Sequence, residues 1–386
     1  MSSNPEHVDI AIVGGGPIGC ALALALADSG RSFALLEARD VLDSRDPRAI
    51  ALSQGSRLIL ERLGVWPALA DRVTPIQTIH VSQRGGFGQT RLTAQEAGVP
   101  ALGYTVEYGD LYRALAQTLP QSGAHVLTGT RVNAVAPAAG CGLVTYAQAG
   151  QARALTARLI VLAEGGQSLP AAGARKDYGA SAVVCSVRTS RPHAHVAYER
   201  FTPEGPIALL PLHDAYALVW TTPGDQVATR LAWDEAAFLA ALQAAFGERQ
   251  GRFLTAGPRA AFPLRLAAAP SPRPGVVRVG NAAQTLHPVA GQGFNLGLRD
   301  VWKLAEAIAD TAREDLGSAA FVANHQARRR WDVGGGIAMT DLLVELFSND
   351  WTLLTQARGV ALTLLDALAP AKRLFARKMM FGAQAW

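Results

Sequence analysis

Cysteine is scarce in this chain. Three thiols, Cys20, Cys141 and Cys185, are scattered over 386 residues. They have neither metal-site spacing nor an even count for a disulfide framework, which points to a reducing cytoplasm and no metal. Charge is thin as well: 17% of residues are Asp, Glu, Lys or Arg, against roughly 25% in an ordinary domain. With 49% hydrophobic residues, the chain has enough apolar surface to fold and is not a disordered polymer. No apolar run reaches the length of about 20 residues that a bilayer span needs, although the mean hydropathy of +0.13 is high for a soluble protein. Basic runs interleaved with aromatics are missing too. The net charge of +5 and pI near 9.3 therefore do not argue for nucleic acid; they suit an anionic membrane surface. His193, His195 and His213 have no carboxylate or cysteine at ligand spacing and read as turn or strand-face residues. The opening Met-Ser-Ser-Asn-Pro-Glu-His leads straight into a strand-like segment, so no signal peptide is expected.

Glycine, by contrast, is plentiful, at 38 residues, and two stretches concentrate it. Residues 8–13 form an apolar run that reads as a buried parallel strand, and Gly14-Gly-Gly16-Pro17-Ile-Gly19 follows. An Ala/Leu-rich helix runs on to Asp28, residues 32–36 return as strand, and Glu37 stands at their end. Strand, glycine turn, helix, strand and an acid about 20 residues on is the dinucleotide-binding arrangement. Its glycines admit a pyrophosphate to the helix N-terminus, and its acid accepts from ribose hydroxyls. The motif alone does not separate FAD from NAD.

The second stretch, residues 280–300, is the one around which the chain is organised. A short apolar run, 276–279, precedes it, and Leu296, Leu298, Val301, Leu304, Ala305 and Ile308 recur at helical spacing after it. The intervening loop contains Gly280, Asn281, His287, Pro288, Gly291, Gln292, Gly293, Phe294 and Asn295. It delivers a helix N-terminus, with free N–H groups and a positive dipole end, to a place that backbone can approach closely. Such an end stabilises developing negative charge, as on the N1–C2=O edge of a reduced flavin. Two further positions stay open on sequence alone. Glu164-Gly165 ends an apolar strand, either where open α/β sheets bind ligands or in a polar turn. Arg48, in the run Asp46-Pro-Arg-Ala-Ile-Ala-Leu, suits a cofactor contact or a surface salt bridge.

Residues 181–266 break into short apolar runs separated by Pro, Gly and Asp, the pattern of an antiparallel sheet, with a helix capped by Asp234. The expected fold is therefore α/β: a discontinuous, Rossmann-like nucleotide domain (1–75, 102–175 and 270–330) with an inserted substrate domain (76–101 and 176–269). A helical region, 331–386, completes the chain. In its last helix Lys372, Arg373, Arg377 and Lys378 lie among Leu374, Phe375, Met379, Met380 and Phe381. That composition suits a membrane interface, and equally core or dimer packing.

Taken together, the Gly14 turn with Glu37, then Ala163-Glu164-Gly165, then the Gly280–Asn295 loop resemble the para-hydroxybenzoate-hydroxylase-type flavin monooxygenases. Asp46-Pro-Arg-Ala-Ile-Ala-Leu, Thr78-Ile-His-Val-Ser-Gln-Arg-Gly, Glu199-Arg-Phe-Thr and Gly205-Pro-Ile-Ala-Leu-Leu-Pro narrow the resemblance to the ubiquinone-biosynthesis hydroxylases. Among these the 2-octaprenyl-6-methoxyphenol hydroxylases look most similar. The resemblance implies a three-layer FAD-binding domain, with NAD(P)H as reductant and O2 as co-substrate. It implies hydroxylation of a polyprenylated phenol through a flavin C4a-hydroperoxide. A different ring position or phenol of the same pathway, or a non-catalytic FAD-binding subunit, is the alternative. Carried over by position, Gly14, Gly16, Pro17 and Gly19 seat the pyrophosphate and Glu37 the adenosine ribose. Val132 meets the adenine through its backbone, and Arg48 lies beside the isoalloxazine. Gly280 and Asn281 bind the ribityl chain, while Pro288 and Gly291 to Asn295, with Gln292, Gly293 and Phe294, flank the ring. Relatives usually have Asp-Gly at Glu164-Gly165, so the nicotinamide contacts implied there are in question. No amino-acid nucleophile is needed; His287 is the one histidine in the loop that could act as a base. Further implied partners are other ubiquinone-biosynthesis proteins and the inner face of the cytoplasmic membrane, where the protein would be peripheral through its tail.

Overall fold

The strand Glu6–Val13 shows no alternation of apolar and polar residues because both of its faces are covered. It pairs in parallel with Phe33–Leu36 on one side and with Gln151–Leu162 on the other. A computed structural model describes residues 6–44, 46, 48–138, 140–165, 174–268, 273–285, 292–330, 334 and 352–382. His287, Pro288 and Gly291 lie outside the described residues. The first sheet runs in the order His125–Leu127, Phe33–Leu36, Glu6–Val13, Gln151–Leu162, Cys141–Gln148, Thr130–Ala138, with Val276–Arg278 also on Gln151–Leu162. One face, with Ile10, Ile12, Leu35 and Val161, packs against the helices Pro17–Ala25, Tyr108–Thr118 and Gln292–Asp310. The other face buries Val8, Ala11, Val13, Val144, Leu155 and Ile160 in a second core.

The second sheet takes strands from both inserted segments. Its order is Gln284–Thr285, Ala260–Ala268, Ala174–Thr189, Ala215–Pro223, Gly205–Leu212, Val196–Thr202, Thr78–Gln83, Gln89–Thr93. The pairing is antiparallel except between Val196–Thr202 and Thr78–Gln83, which are parallel because the latter arrives from the earlier segment. One face is sealed by the helix Glu235–Phe246, whose N-terminus is capped by Asp234 accepting from Ala237 N–H at 2.7 Å. Trp220, Phe238, Leu242 and Phe246 fill that core. The opposite face is turned to the nucleotide domain and forms half of the site described below.

Several elements differ from the sequence reading. His125–Leu127 and Thr130–Ala138 are two strands separated at Gly129, φ +60°. The strand Ala49–Ser53 was not anticipated; it pairs with Gly103–Glu107 in a small third sheet. Gln284–Thr285 joins the second sheet although it follows the cofactor-domain strand Val276–Arg278. The last helix, Ala369–Phe381, is packed inward: Ala376 and Met380 are buried with Leu92, Ala94 and Leu102. Met380 C=O leaves no room for a side chain at Gly55, where a Cβ would lie 2.7 Å from it. Lys372 cannot snorkel outward, because it is 8% exposed and its Nζ lies 2.9 Å from Glu96 and 3.5 Å from Asp366.

Candidate functional site

Three glycines in the first turn do three different things. Gly14, at φ +106°, passes so close to the neighbouring strand that a Cβ would lie 2.7 Å from Glu164 N. A Cβ at Gly19 would sit 1.9 Å from Gly14 O, so this glycine lets the helix press onto the turn. A Cβ at Gly16 would meet nothing within 4 Å, because that face opens into a cavity. Gly16 is also the N-cap of the helix Pro17–Ala25 and offers no capping side chain, leaving the first-turn N–H groups directed at whatever fills the cavity.

Glu37 locks this turn from the side. Its Oε2 accepts from Gly15 N–H at 2.7 Å, and its Oε1 accepts from Arg39 N–H at 3.0 Å and Arg39 Nε–H at 2.8 Å. Burial alone would raise its pKa, but the bonds from Arg39 and Gly15 outweigh it and hold the carboxyl below its ordinary value. An ionised acceptor therefore faces the cavity at the point expected for ribose hydroxyls. Tyr112 and Arg39, which sequence reasoning missed, complete the clamp. Tyr112, fully buried, donates to Gly15 C=O at 2.7 Å and accepts from Arg39 Nη2 at 2.8 Å. Thr130, Arg131 and Val132 line the cavity beside Glu37.

At the other end, the helix Gln292–Asp310 starts at the cavity with Gly293, Phe294 and Asn295 among its lining residues. A Cβ at Gly293 would meet no atom within 4 Å, so the glycine is not required by packing against the protein itself. Asn295 is different: its Oδ1 accepts from Ser53 N–H at 2.8 Å and Ser56 Oγ–H at 2.7 Å, and its Nδ2 donates to Ala51 C=O at 2.8 Å. Its side chain thus rivets the helix start to the strand Ala49–Ser53. Gly280, at φ +57°, and Gly297 both let this region close on Ile18, with Cβ approaches of 3.2 and 2.9 Å. Asp300, on the same helix, forms an ion pair with Arg329 Nε at 2.6 Å; burial nonetheless pushes its carboxyl up to about 6. Asn281 is exposed along the cavity wall.

Arg48 makes the salt bridge and also stands on the cavity wall. Its Nε donates to Asp46 Oδ1 at 2.9 Å, and its guanidinium lies 4.6 Å from the Phe262 ring centroid and 5.7 Å from that of Tyr108, on the cavity wall. Glu164 borders the cavity next to the Gly14 turn. Burial raises its pKa against a smaller opposing influence from Arg278, and its Oε2 has no hydrogen-bond partner among the described residues. Gly165 follows at φ +76°.

These residues share one continuous cavity of about 1130 Å³, above the roughly 1,000 Å³ upper range for a single small-molecule site. Its far half is apolar. Val81, Val184, Leu210, Val219 and Leu264 come from the free face of the second sheet, and Phe375 and Met379 from the last helix. Among the described residues, one charged position breaks that lining. Glu199, on the strand Val196–Thr202, opens into the cavity among apolar neighbours, and burial alone pushes its carboxyl up to about 7. In the sequence it stands as an acid in Ala197-Tyr-Glu199-Arg-Phe201, on one of the two faces that a period of two allows; which face meets the cavity is set by the fold.

A glycine turn against a helix start, a buried ionised acid 18 positions further on and a second glycine, Gly293, open to the cavity at a helix start define an FAD-binding α/β protein with a separate substrate sheet. A model of the FAD-binding domain matches residues 7–331. The chain belongs to the ubiquinone-biosynthesis hydroxylases, a family of FAD-dependent aromatic hydroxylases. It is 36% identical to ubiquinone hydroxylase UbiL of Rhodospirillum rubrum, covering 98% of this chain and 90% of that one. With the 3-demethoxyubiquinol 3-hydroxylase of Escherichia coli it shares 33% identity, over 97% of this chain and 98% of the relative. In fold it is similar to p-nitrophenol 4-monooxygenase PnpA from Pseudomonas putida, with a TM-score of 0.79 at 15% identity over 98% of this chain and all of that one.

Proposed function

We propose that this flavoprotein hydroxylates a polyprenylated phenol of the 2-polyprenyl-6-methoxyphenol type, with NAD(P)H as reductant and O2 as the source of the new oxygen. The observation that carries this reading is the single cavity, which runs from the glycine turn past Gly293 into a chamber walled by apolar side chains. The cradle fits FAD on this chain's own terms: an open Cβ direction at Gly16 and another at Gly293, an ionised acceptor at Glu37, and no side-chain cap on the first helix. When bound, the flavin supplies the redox chemistry and the oxygen activation. Gly14, Gly16, Pro17 and Gly19 would hold the pyrophosphate, Glu37 the ribose, and Val132 backbone the adenine. Asn281 would hold the ribityl chain, with the first turn of Gln292–Asp310 under the pyrimidine edge. Arg48, Phe262 and Phe294 would exclude water and orient the ring to be hydroxylated.

The test is to incubate the FAD-loaded protein with NADH or NADPH and a 2-polyprenyl-6-methoxyphenol under isotopically heavy dioxygen. One heavy oxygen atom in the phenol product is expected, and its ring position follows from the product's NMR spectrum. Oxidation of the nicotinamide without any labelled phenol would defeat the reading.

A polyprenylated substrate resides in a bilayer, and the surface around the C-terminal helices suits work there. Val360, Leu364, Leu368 and Leu374 are 47 to 59% exposed, and Arg373, Arg377 and Lys378 stand exposed beside them. Three basic residues near an anionic surface are worth roughly 3 kcal/mol in total, weakened by salt. In this reading the protein sits peripherally on the inner face of the cytoplasmic membrane. No described helix is long and apolar enough to cross it.

A further inference from the structure

Register places Glu199 in a row that crosses the second sheet. Val81 and Ala208 are its neighbours on either side, and Val219 and Val184 continue the row beyond Ala208. All five residues line the cavity. Tyr198 and Arg200 point to the opposite face, where Tyr198 packs against Phe246 at 5.7 Å and Arg200 reaches Ser82 Oγ at 3.3 Å. Among the described residues, Glu199 is therefore the one carboxylate that the free face of this sheet brings to the cavity. No described residue offers it a hydrogen bond or an ion pair, so it has no structural partner whose loss would explain its presence.

The other ionisable groups that reach the cavity come from different elements. Arg48 is bound by Asp46, and Glu37, Arg39, Glu107, Tyr108, Arg131 and Glu164 stand with it on the nucleotide-domain side. Cys185, a thiol that burial pushes up to about 12, is on Ala174–Thr189. The strands Thr78–Gln83 and Gly205–Leu212 offer the cavity only apolar side chains, as does the helix Ala369–Phe381.

We propose that Glu199 is the general base that takes the phenolic proton of the aromatic substrate, a catalytic residue for the reaction proposed above, on which this inference rests. The phenol O–H bond breaks, its electron pair stays on oxygen, and the proton becomes the acid hydrogen of Glu199; no electron is exchanged. The phenolate pushes density into the ring and makes its ortho and para carbons better nucleophiles toward an electrophilic oxygen. An unpartnered carboxylate in an apolar chamber is costly until a donor arrives, and a phenol is such a donor. Its pKa of about 7 falls where a base at neutral pH is most effective.

The test uses the full-length, FAD-loaded protein, the variants Glu199→Gln and Glu199→Asp, and 2-methoxyphenol carrying a geranyl chain at C6 as probe. Phenolate absorption is recorded on binding, and NAD(P)H-dependent hydroxylation is followed against pH. The unmodified protein should bind the probe as phenolate, with turnover rising through pH about 7. Glu199→Gln should keep its flavin and bind the probe as neutral phenol. Its turnover should fall about 100-fold near neutrality and recover at alkaline pH, where the phenol ionises in solution. Glu199→Asp should restore part of the activity. Wild-type phenolate absorption and pH profile in Glu199→Gln would overturn the assignment while leaving the hydroxylase reading intact. Loss of folding in both variants would assign Glu199 to the fold and overturn it too. If the unmodified protein hydroxylates no phenol, the function itself fails and the base assignment falls with it.

Discussion

Gly293→Val separates cofactor binding from folding more cleanly than any other change in the cavity. A Cβ at this position meets no protein atom within 4 Å, so the valine side chain enters empty space in the apoprotein. Replacing glycine in a helix also removes a backbone-entropy cost of up to about 1 kcal/mol, part of which a β-branched residue gives back. The flavin-free variant should therefore melt at the wild-type temperature or slightly above it. With the cofactor bound, the same methyl groups would occupy the space of the ring, and overfilling a packed site costs about 1–3 kcal/mol. That range corresponds to roughly 5- to 150-fold weaker binding at 1.4 kcal/mol per factor of ten. Fluorescence titration of the apoprotein with FAD reads the affinity directly, and melting with and without FAD gives an independent measure. Flavin at a hundredfold excess over Kd adds about 2.7 kcal/mol of stability; at a hundredfold weaker Kd it would add only about 0.4 kcal/mol. Wild-type FAD affinity in Gly293→Val would refute the placement of the ring. An apoprotein destabilised by the substitution would refute the claim that this glycine serves the ligand.

Other outcomes follow from the same geometry. Tyr112→Phe leaves Gly15 C=O without its buried donor and Arg39 Nη2 without its acceptor, so it should cost about 1–3 kcal/mol by urea denaturation and loosen FAD retention. Glu37 is held below its ordinary pKa, so its stabilising effect is complete above the unfolded value of about 4.3 and is lost as pH falls through the lower folded value. Glu37→Gln should flatten that acid limb in a stability-versus-pH series, and its FAD affinity should drop as well. Replacing Leu364, Leu368 and Leu374 with Ser should reduce sedimentation with anionic liposomes while bound FAD is unchanged; equal sedimentation would remove the membrane role from this surface.

The glycine turn was legible in the chain because its requirements are local. A positive φ at Gly14, a close approach at Gly19 and an acid after the next strand all lie within two dozen residues. The helix Gln292–Asp310 was legible for the same reason, since its apolar period needs no partner to be recognised. What Asn295 does was not legible. Its amide reads as a ligand group in the loop, yet its partners Ser53 and Ser56 lie more than 200 positions away, and only folding brings them there. Tyr112 looked like one more aromatic on an amphipathic helix until the fold placed its hydroxyl under Gly15.

The C-terminal helix shows the limit most clearly. Its sequence presents basic and apolar residues together, and composition gives no way to tell which face is wet. The structure turns Phe375 and Met379 into the cavity, ties Lys372 to Glu96 and leaves Leu374 outside. Glu199 belongs to the same category, because a strand's alternation says that two faces exist and not which of them meets a cofactor. Backbone conformation and periodicity are written in neighbouring residues. The side on which a residue is buried, and the charge it meets there, depends on contacts between segments far apart in the chain, and those exist only once the two sheets have packed together.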